Sequence, residues 1–441
     1  MGFVCSGIFF IIAYLGLVWN GKRKVYSPLF LFALFWGILC FLSDLHLYRL
    51  FETSIFAYLC ILTGVAGFSI GCILVGFSKK VKCSPAQKLN LTVYNVLLLV
   101  CVAALYLNFS LIISFIKGGL DISYIYYVMA ADPTGESGEL SGMFNENLVK
   151  LQQFIGYPLL YTLVPISIVE YIETKKKYFL FVAIFLSLIR FLVDIRRTYI
   201  VIIVLFVIVL LLLRRSKYKR MNIRLPKMTI KTKVLTALFL GVVTILFSML
   251  SQARISEDDL DKKDNYSVFS NFYFYYVGSL PYFSQRLELD KGNEMTYGFT
   301  SFRGIASPIV GGLKMLGMED LAVMKTANDN VNSLHAVTLN ITPTHNSNSY
   351  ATLFFEFYLD GGLLGVFLIS FLFGIYSQQL FVKAYRFQTN RYSWKYAFYV
   401  SLFLFLSVLH FNGVVVCYIW PFIIERLFYT QLPHTNLKVT N

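Results

Sequence analysis

Apolar residues come along this chain in blocks of about twenty, the length a helix needs to cross a bilayer, with short polar stretches between them. Eleven blocks qualify: 2–19, 28–47, 55–77, 91–116, 151–171, 178–194, 198–213, 234–251, 362–381, 396–411 and 413–429. Backbone N–H and C=O groups in lipid must be satisfied within the segment, so each block is predicted to be a helix. The expected fold class is all-α, a polytopic membrane helical bundle of about 11 transmembrane helices forming one integral membrane domain over 1–441. The first block lacks a basic leader and a small-residue cleavage site, so it reads as a retained span. The myristoylation-like MGFVCS start is taken as chance. In the third block, GVAGFSIGCILVG places Gly64, Gly67, Gly71 and Gly76 at spacings that allow close helix contact.

Two polar segments interrupt this pattern. The shorter, 117–150, is acidic and glycine-rich; the larger covers 252–349. Long loops of this kind often carry function. Within the larger one, SQARISEDDLDKKDN reads as a helical continuation of the preceding span. NFYFYYVGSLPYFSQRLE is aromatic and amphipathic, suited to the membrane interface. TSFRGIASPIVGGLKMLG suits a helix or re-entrant piece against the bilayer, and MEDLAVMKTANDNVNS is polar. The ninth block is preceded by THNSNSYATLFFEFYLDGGLLG (344–365), which carries Glu356 and Asp360 four residues apart, hence on one helix face. Residues 349–360 are expected to form a lead-in helix, broken from the true span at Gly361–Gly362.

Composition supports the membrane assignment: 57% of the 441 residues are hydrophobic and 14% charged, against about a quarter charged in soluble proteins. The net charge of +15 is a topology signal. Loops around 20–27, 78–90, 172–177, 214–233 and 382–395, with the C-terminal end, hold 25 of the 39 Lys and Arg residues but three of the 24 acids. The positive-inside rule puts these in the cytoplasm, the N-terminus outside and the C-terminus inside. RRSKYKR at 214–220 is then a cytoplasmic anchor, and membrane lipids rather than nucleic acid are the expected partners. The seven cysteines avoid the large loops, so no disulfide is expected. Neither metal-ligand spacing nor a phosphate-binding glycine loop is present in the sequence, and no cofactor is expected.

Arginine is the informative residue type. Arg190, Asp194 and Arg197 share a helix face in LIRFLVDIRRTYI, with Arg196 beside them. A charge inside a span faces a bundle interior or a cavity. Both a structural Arg–Asp pair and an anion-binding cluster fit. Arg254, Arg286 and Arg303 fall in the large loop, with Lys314 near Arg303. A guanidinium binds a diphosphate bidentately and keeps its charge in apolar surroundings. His345 is a candidate general base or a solvated loop histidine. Glu356 and Asp360 are candidates for ordering acceptor hydroxyls or for pairing with the arginines, and Asn348 is a further polar candidate.

Many spans, a short and a large external loop, Arg197–Thr198 at a helix turn and NSY…FFEFYLDGGLLG before a late span resemble the bacterial oligosaccharide repeat-unit polymerases, the O-antigen polymerase (Wzy) family. The resemblance implies a glycosyltransferase C-like helical bundle working without metal in the bacterial inner membrane. Its substrate would be undecaprenyl-diphosphate-linked oligosaccharide, with a chain-length regulator protein as a partner. The growing glycan would pass to the next lipid-linked unit on the outer face, building O-antigen, capsule or a similar surface polysaccharide. By position, Arg197, Arg254 and Arg303 match the family's essential external arginines. Related O-antigen ligases carry a histidine followed by Asn or Ser and, some ten residues on, a GxxG. Here His345–Asn346 precedes Gly362-x-x-Gly365 by a longer gap, which favours polymerase over ligase. A polysaccharide flippase is the reading from another class. The large loop and the lack of an internal repeat in the sequence weigh against it.

Overall fold

The computed structural model of the protein describes residues 1–19, 24–76, 87–107, 109–110, 113, 117, 148, 151–194, 197–220, 268–290, 294–317, 321–348, 351–387, 389–407 and 415–431. The expected span 234–251, Arg254 and nearly all of the loop 117–150 lie outside these residues. Helices dominate. They are α1 (Gly2–Trp19), α2 (Pro28–Asp44), α3 (Ile55–Val75), α4 (Leu91–Ala104), α5 (Tyr157–Thr174), α6 (Lys177–Asp194) and α7 (Arg197–Arg220). The large loop supplies α8 (Val268–Tyr276), α9 (Ser279–Leu289), α10 (Arg303–Met315) and α11 (Ala322–Ala336). After it come α12 (Leu353–Phe387), α13 (Asn390–Leu406) and α14 (Val415–Phe428). The described residues also form two small antiparallel pairs: β1 (Gln87–Leu89) with β4 (Tyr429–Gln431), and β2 (Thr338–Asn340) with β3 (Asn346–Asn348).

Among the described residues, four helices are long and apolar enough to cross a membrane: Gly2–Trp19, Ile55–Val75, Phe154–Thr174 and Leu353–Phe387. Pro28–Asp44 and Leu91–Ala104 are shorter apolar helices. These helices are consistent with a membrane protein, and helices occupy the other expected blocks among the described residues. Five cysteines (Cys5, Cys40, Cys60, Cys72 and Cys101) are buried free thiols.

The chain divides into two compact units. One contains 1–81, 262–386 and 399–415; the other contains 82–261, 387–398 and 416–441. The first unit has an aromatic core. Phe32 lies 4.2 Å from Phe68 and 5.0 Å from Phe403, and Trp36 lies 4.8 Å from Phe354. Phe373 contacts both Phe357 and Phe403, at 5.7 and 5.4 Å. Offset and edge contacts of this kind add to the burial energy of large rings. Gly67 and Gly71 of α3 do what their spacing predicts and Gly64 faces the Phe354 ring, whereas Gly76 caps the helix at φ 67° with open space beside it. A Cβ at Gly71 would collide with the Phe371 carbonyl oxygen of α12, and one on Gly67 would lie 2.6 Å from that of Phe367. Only glycine lets these two backbones approach.

The break in α12 falls where the sequence places it. Gly362 has φ 59° and ψ −150°, a region open chiefly to glycine. Phe357 before the break and Phe373 after it have ring centroids 5.7 Å apart. A continuous helix would separate them by about 24 Å at 1.5 Å per residue. The segment 353–360 therefore folds back along the segment that follows it, and all of it except Tyr358 is buried.

In the second unit, Glu425 of α14 is fully buried. It accepts two hydrogen bonds from Arg391 (2.6 and 2.9 Å) and one from Lys395 (2.7 Å). Asn390 donates to Glu170 of α5 at 3.0 Å, and Trp394 stacks on Phe422. The β1–β4 pair and the bond from Asn90 N to Phe428 O hold the end of α14.

Candidate functional site around Arg303

Asp360 is the last residue before the break in α12, and its carboxylate organises a turn far away in sequence. One oxygen accepts from the Thr296 hydroxyl (2.6 Å) and the Thr300 amide (3.0 Å), the other from the Ser301 amide (2.9 Å). The Thr296 and Tyr297 amides donate to the Leu359 and Asp360 carbonyls at 3.2 and 3.0 Å. Tyr297 is held at φ 50°, an uncommon conformation for a non-glycine residue. The carboxylate thus meets its needs inside the protein, with charge-assisted bonds worth more than neutral ones. This differs from the expected role of ordering an acceptor sugar. The clamped turn leads directly into α10, whose first residue is Arg303.

Arg303 is half-buried. Among the described residues it makes no hydrogen bond and no ion pair. Burial pulls its guanidinium below the usual range, and the field of the Glu356 carboxylate pulls it back. Glu356 is fully buried on the same face of α12 as Asp360, one turn earlier. The two acids therefore act differently: Asp360 fixes the backbone ahead of Arg303, and the Glu356 carboxyl acts on it through space. The arrangement leaves a positioned cation whose donors are uncommitted within the described structure, suited to a carboxylate or phosphate.

Arg286, expected as a substrate ligand, is instead an internal clamp. It is 2% exposed. Its Nε donates to Asp290 at 2.9 Å, and its two terminal nitrogens donate to the carbonyl and hydroxyl oxygens of Ser333 on α11, both at 3.0 Å. The guanidinium also lies 5.2 Å from the centroid of the Phe355 ring. Most of its hydrogen-bonding capacity is used within the protein, the physical reason for reading it differently.

His345 closes the turn between β2 and β3. Its amide donates to the Thr342 hydroxyl at 2.8 Å, and its carbonyl accepts from the amides of Ile341 and Thr342. The ring stacks on Phe274 of α8, with centroids 4.6 Å apart and planes at 17°. The hairpin is tied down by Phe51 N to Ile341 O (2.9 Å), Tyr282 hydroxyl to Val337 O (2.9 Å) and Gln285 to Asn340 O (2.8 Å). The aromatic helices α8 and α9 bury Tyr273, Phe274, Tyr276, Tyr282 and Phe283. These five side chains are covered by protein.

The remaining candidates fall elsewhere. Arg190 belongs to the second unit, is buried, and lies 3.8 Å from the centroid of the Tyr157 ring. Tyr157 follows a π-turn at Gln152–Gly156, and its hydroxyl accepts from Gln152 at 2.6 Å. Arg197 begins α7, Lys314 lies on α10 and Asn348 ends β3. The side chains of all three, with Asp194 and the whole of Arg196 and Arg254, lie outside the described residues. No group of three His, Cys, Asp or Glu side chains suited to a metal is found among the described residues. Sequence reasoning missed Thr296, Thr300, Ser301 and Ser333. Their only signal is a polar run before Arg303 and a serine in a polar helix, neither of which names a partner.

Comparison of the chain with protein-family models, curated proteins and solved structures finds no match.

Proposed function

We propose that the chain is a membrane glycosyltransferase that polymerises undecaprenyl-diphosphate-linked oligosaccharide repeat units on the outer face of the bacterial inner membrane. The observation that supports it best is the uncommitted, half-buried guanidinium of Arg303, whose preceding turn is fixed by Asp360. In this reading the bond between the growing glycan and its diphosphate carrier breaks, and a glycosidic bond forms to a hydroxyl of the next lipid-linked unit. Undecaprenyl diphosphate leaves. Arg303 stabilises the negative charge gathering on the departing diphosphate, the type of preorganised electrostatic aid that supplies a large share of enzymatic rate. His345 is the candidate acceptor of the hydroxyl proton, and Arg197 and Arg254 are further candidate anion ligands. Arg286 and Asp360 act on the architecture rather than on the substrate.

The reading is tested by deleting the gene and analysing the surface glycan. Loss of long chains with single repeat units still displayed supports a polymerase. Loss of all repeat units points to a flippase or a ligase and contradicts it.

A further inference from the structure

We propose that α10 lies in the membrane–water interface, with Ile305, Ile309 and Leu316 in contact with lipid and Arg303 turned toward the protein. The first three residues are spaced four and seven apart, so they share one face of the helix and its C-terminal extension. All three are exposed, Ile309 by 57% and Leu316 by 81%. Arg303, Ser307 and Val310, spaced four and three apart, fall on the opposite face; the first two are half-buried and the third is buried. The helix is thus amphipathic with its apolar side outward, the reverse of a helix packed on a protein core.

Two observations favour a bilayer as the occupant of that face. The first is where α10 starts. Phe302 stacks on Phe373 of α12, with centroids 6.3 Å apart and planes at 10°. The turn before it is bonded to Leu359 and Asp360, and the Met295 methyl lies 3.8 Å from where a Gly362 Cβ would stand. The apolar face of α10 therefore begins on the flank of a helix that is itself long and apolar enough to cross a membrane, and that exposes Leu364, Leu368 and Leu372 at helical spacing. The second is the composition of α10. Gly304, Gly311 and Gly312 give a 13-residue helix weak intrinsic propensity. A helix this short is marginal in water unless an apolar face is buried. Exposed Tyr297, just ahead of it, is a residue type that collects at membrane interfaces. An interfacial helix sinks its apolar face about 5–10 Å below the headgroup boundary. This placement does not depend on the reaction proposed above.

The test uses the full chain reconstituted in liposomes with and without brominated phosphatidylcholine. A small fluorophore is attached at Ile305→Cys, Ile309→Cys, Leu316→Cys and, on the opposite face, Ser307→Cys. The parent chain reports the background from the native cysteines. Emission at 305, 309 and 316 is expected to be lost to bromolipid and little affected by aqueous iodide, while the label at 307 keeps its emission in bromolipid. Quenching of the three by iodide instead of bromolipid overturns the proposal, as does equal bromolipid quenching on both faces. Protection from both quenchers, with disulfide cross-linking between copies, assigns the face to a second copy of the chain and also overturns it.

Discussion

Arg286 and Arg303 leave the same loop and are equally conspicuous in the sequence, yet their surroundings are opposite. Arg286 is closed in by Asp290, Ser333 and the Phe355 ring. Arg303 stands half-buried, with a through-space partner in Glu356 and no hydrogen bond among the described residues. A saturated guanidinium holds helices together, and an unsaturated one at a positioned helix start is available to a ligand. A charge in an apolar protein is therefore informative through what it lacks as much as through its type. The Asp360 clamp sharpens the contrast, because its carboxylate hydrogen-bonds the backbone before Arg303, while among the described residues no carboxylate hydrogen-bonds the Arg303 side chain.

Substitutions can break this comparison. Arg286→Met has the largest expected effect on stability, about 3 kcal/mol, because Asp290 and the Ser333 carbonyl and hydroxyl all lose their charged donor. The readout is the thermal unfolding midpoint of the purified protein. Asp360→Asn follows at about 2–3 kcal/mol. Its carboxamide leaves one of the Thr300 and Ser301 amides without an acceptor and gives the other a neutral one, and turnover should fall as Arg303 loses its fixed position. Ser333→Ala removes one side-chain acceptor from Arg286 while keeping the carbonyl, at about 1 kcal/mol. Arg303→Met is expected to disturb stability less than Arg286→Met, because no hydrogen bond among the described residues is lost with it. Unfolding measurements that reverse the order of Arg286 and Arg303 would remove the distinction between clamp and ligand site.

Much of the fold was legible because apolar block length and glycine placement act locally. Gly67 and Gly71 meet the α12 backbone, and the helix breaks at Gly361–Gly362 as the paired glycines suggest. The fate of α8 and α9 was not legible. An amphipathic aromatic helix has the same pattern whether its face meets lipid or protein, and here it meets protein. The roles of individual site residues were only partly legible for a related reason. Asp360 and Glu356 share a face by spacing, but what each meets is set by segments distant in the chain: the turn at Thr296–Ser301 for one and Arg303 for the other. Arg286 likewise finds its partner on α11, across a loop whose path no local pattern specifies.

The most direct test of the account is the surface-glycan length profile of cells carrying Arg303→Met in place of the native chain, with the variant confirmed at native level in the membrane. The account predicts single repeat units and loss of long chains, corresponding to a rate reduced roughly 10²–10³-fold by loss of a key charge-stabilising donor. A native distribution of chain lengths would contradict it.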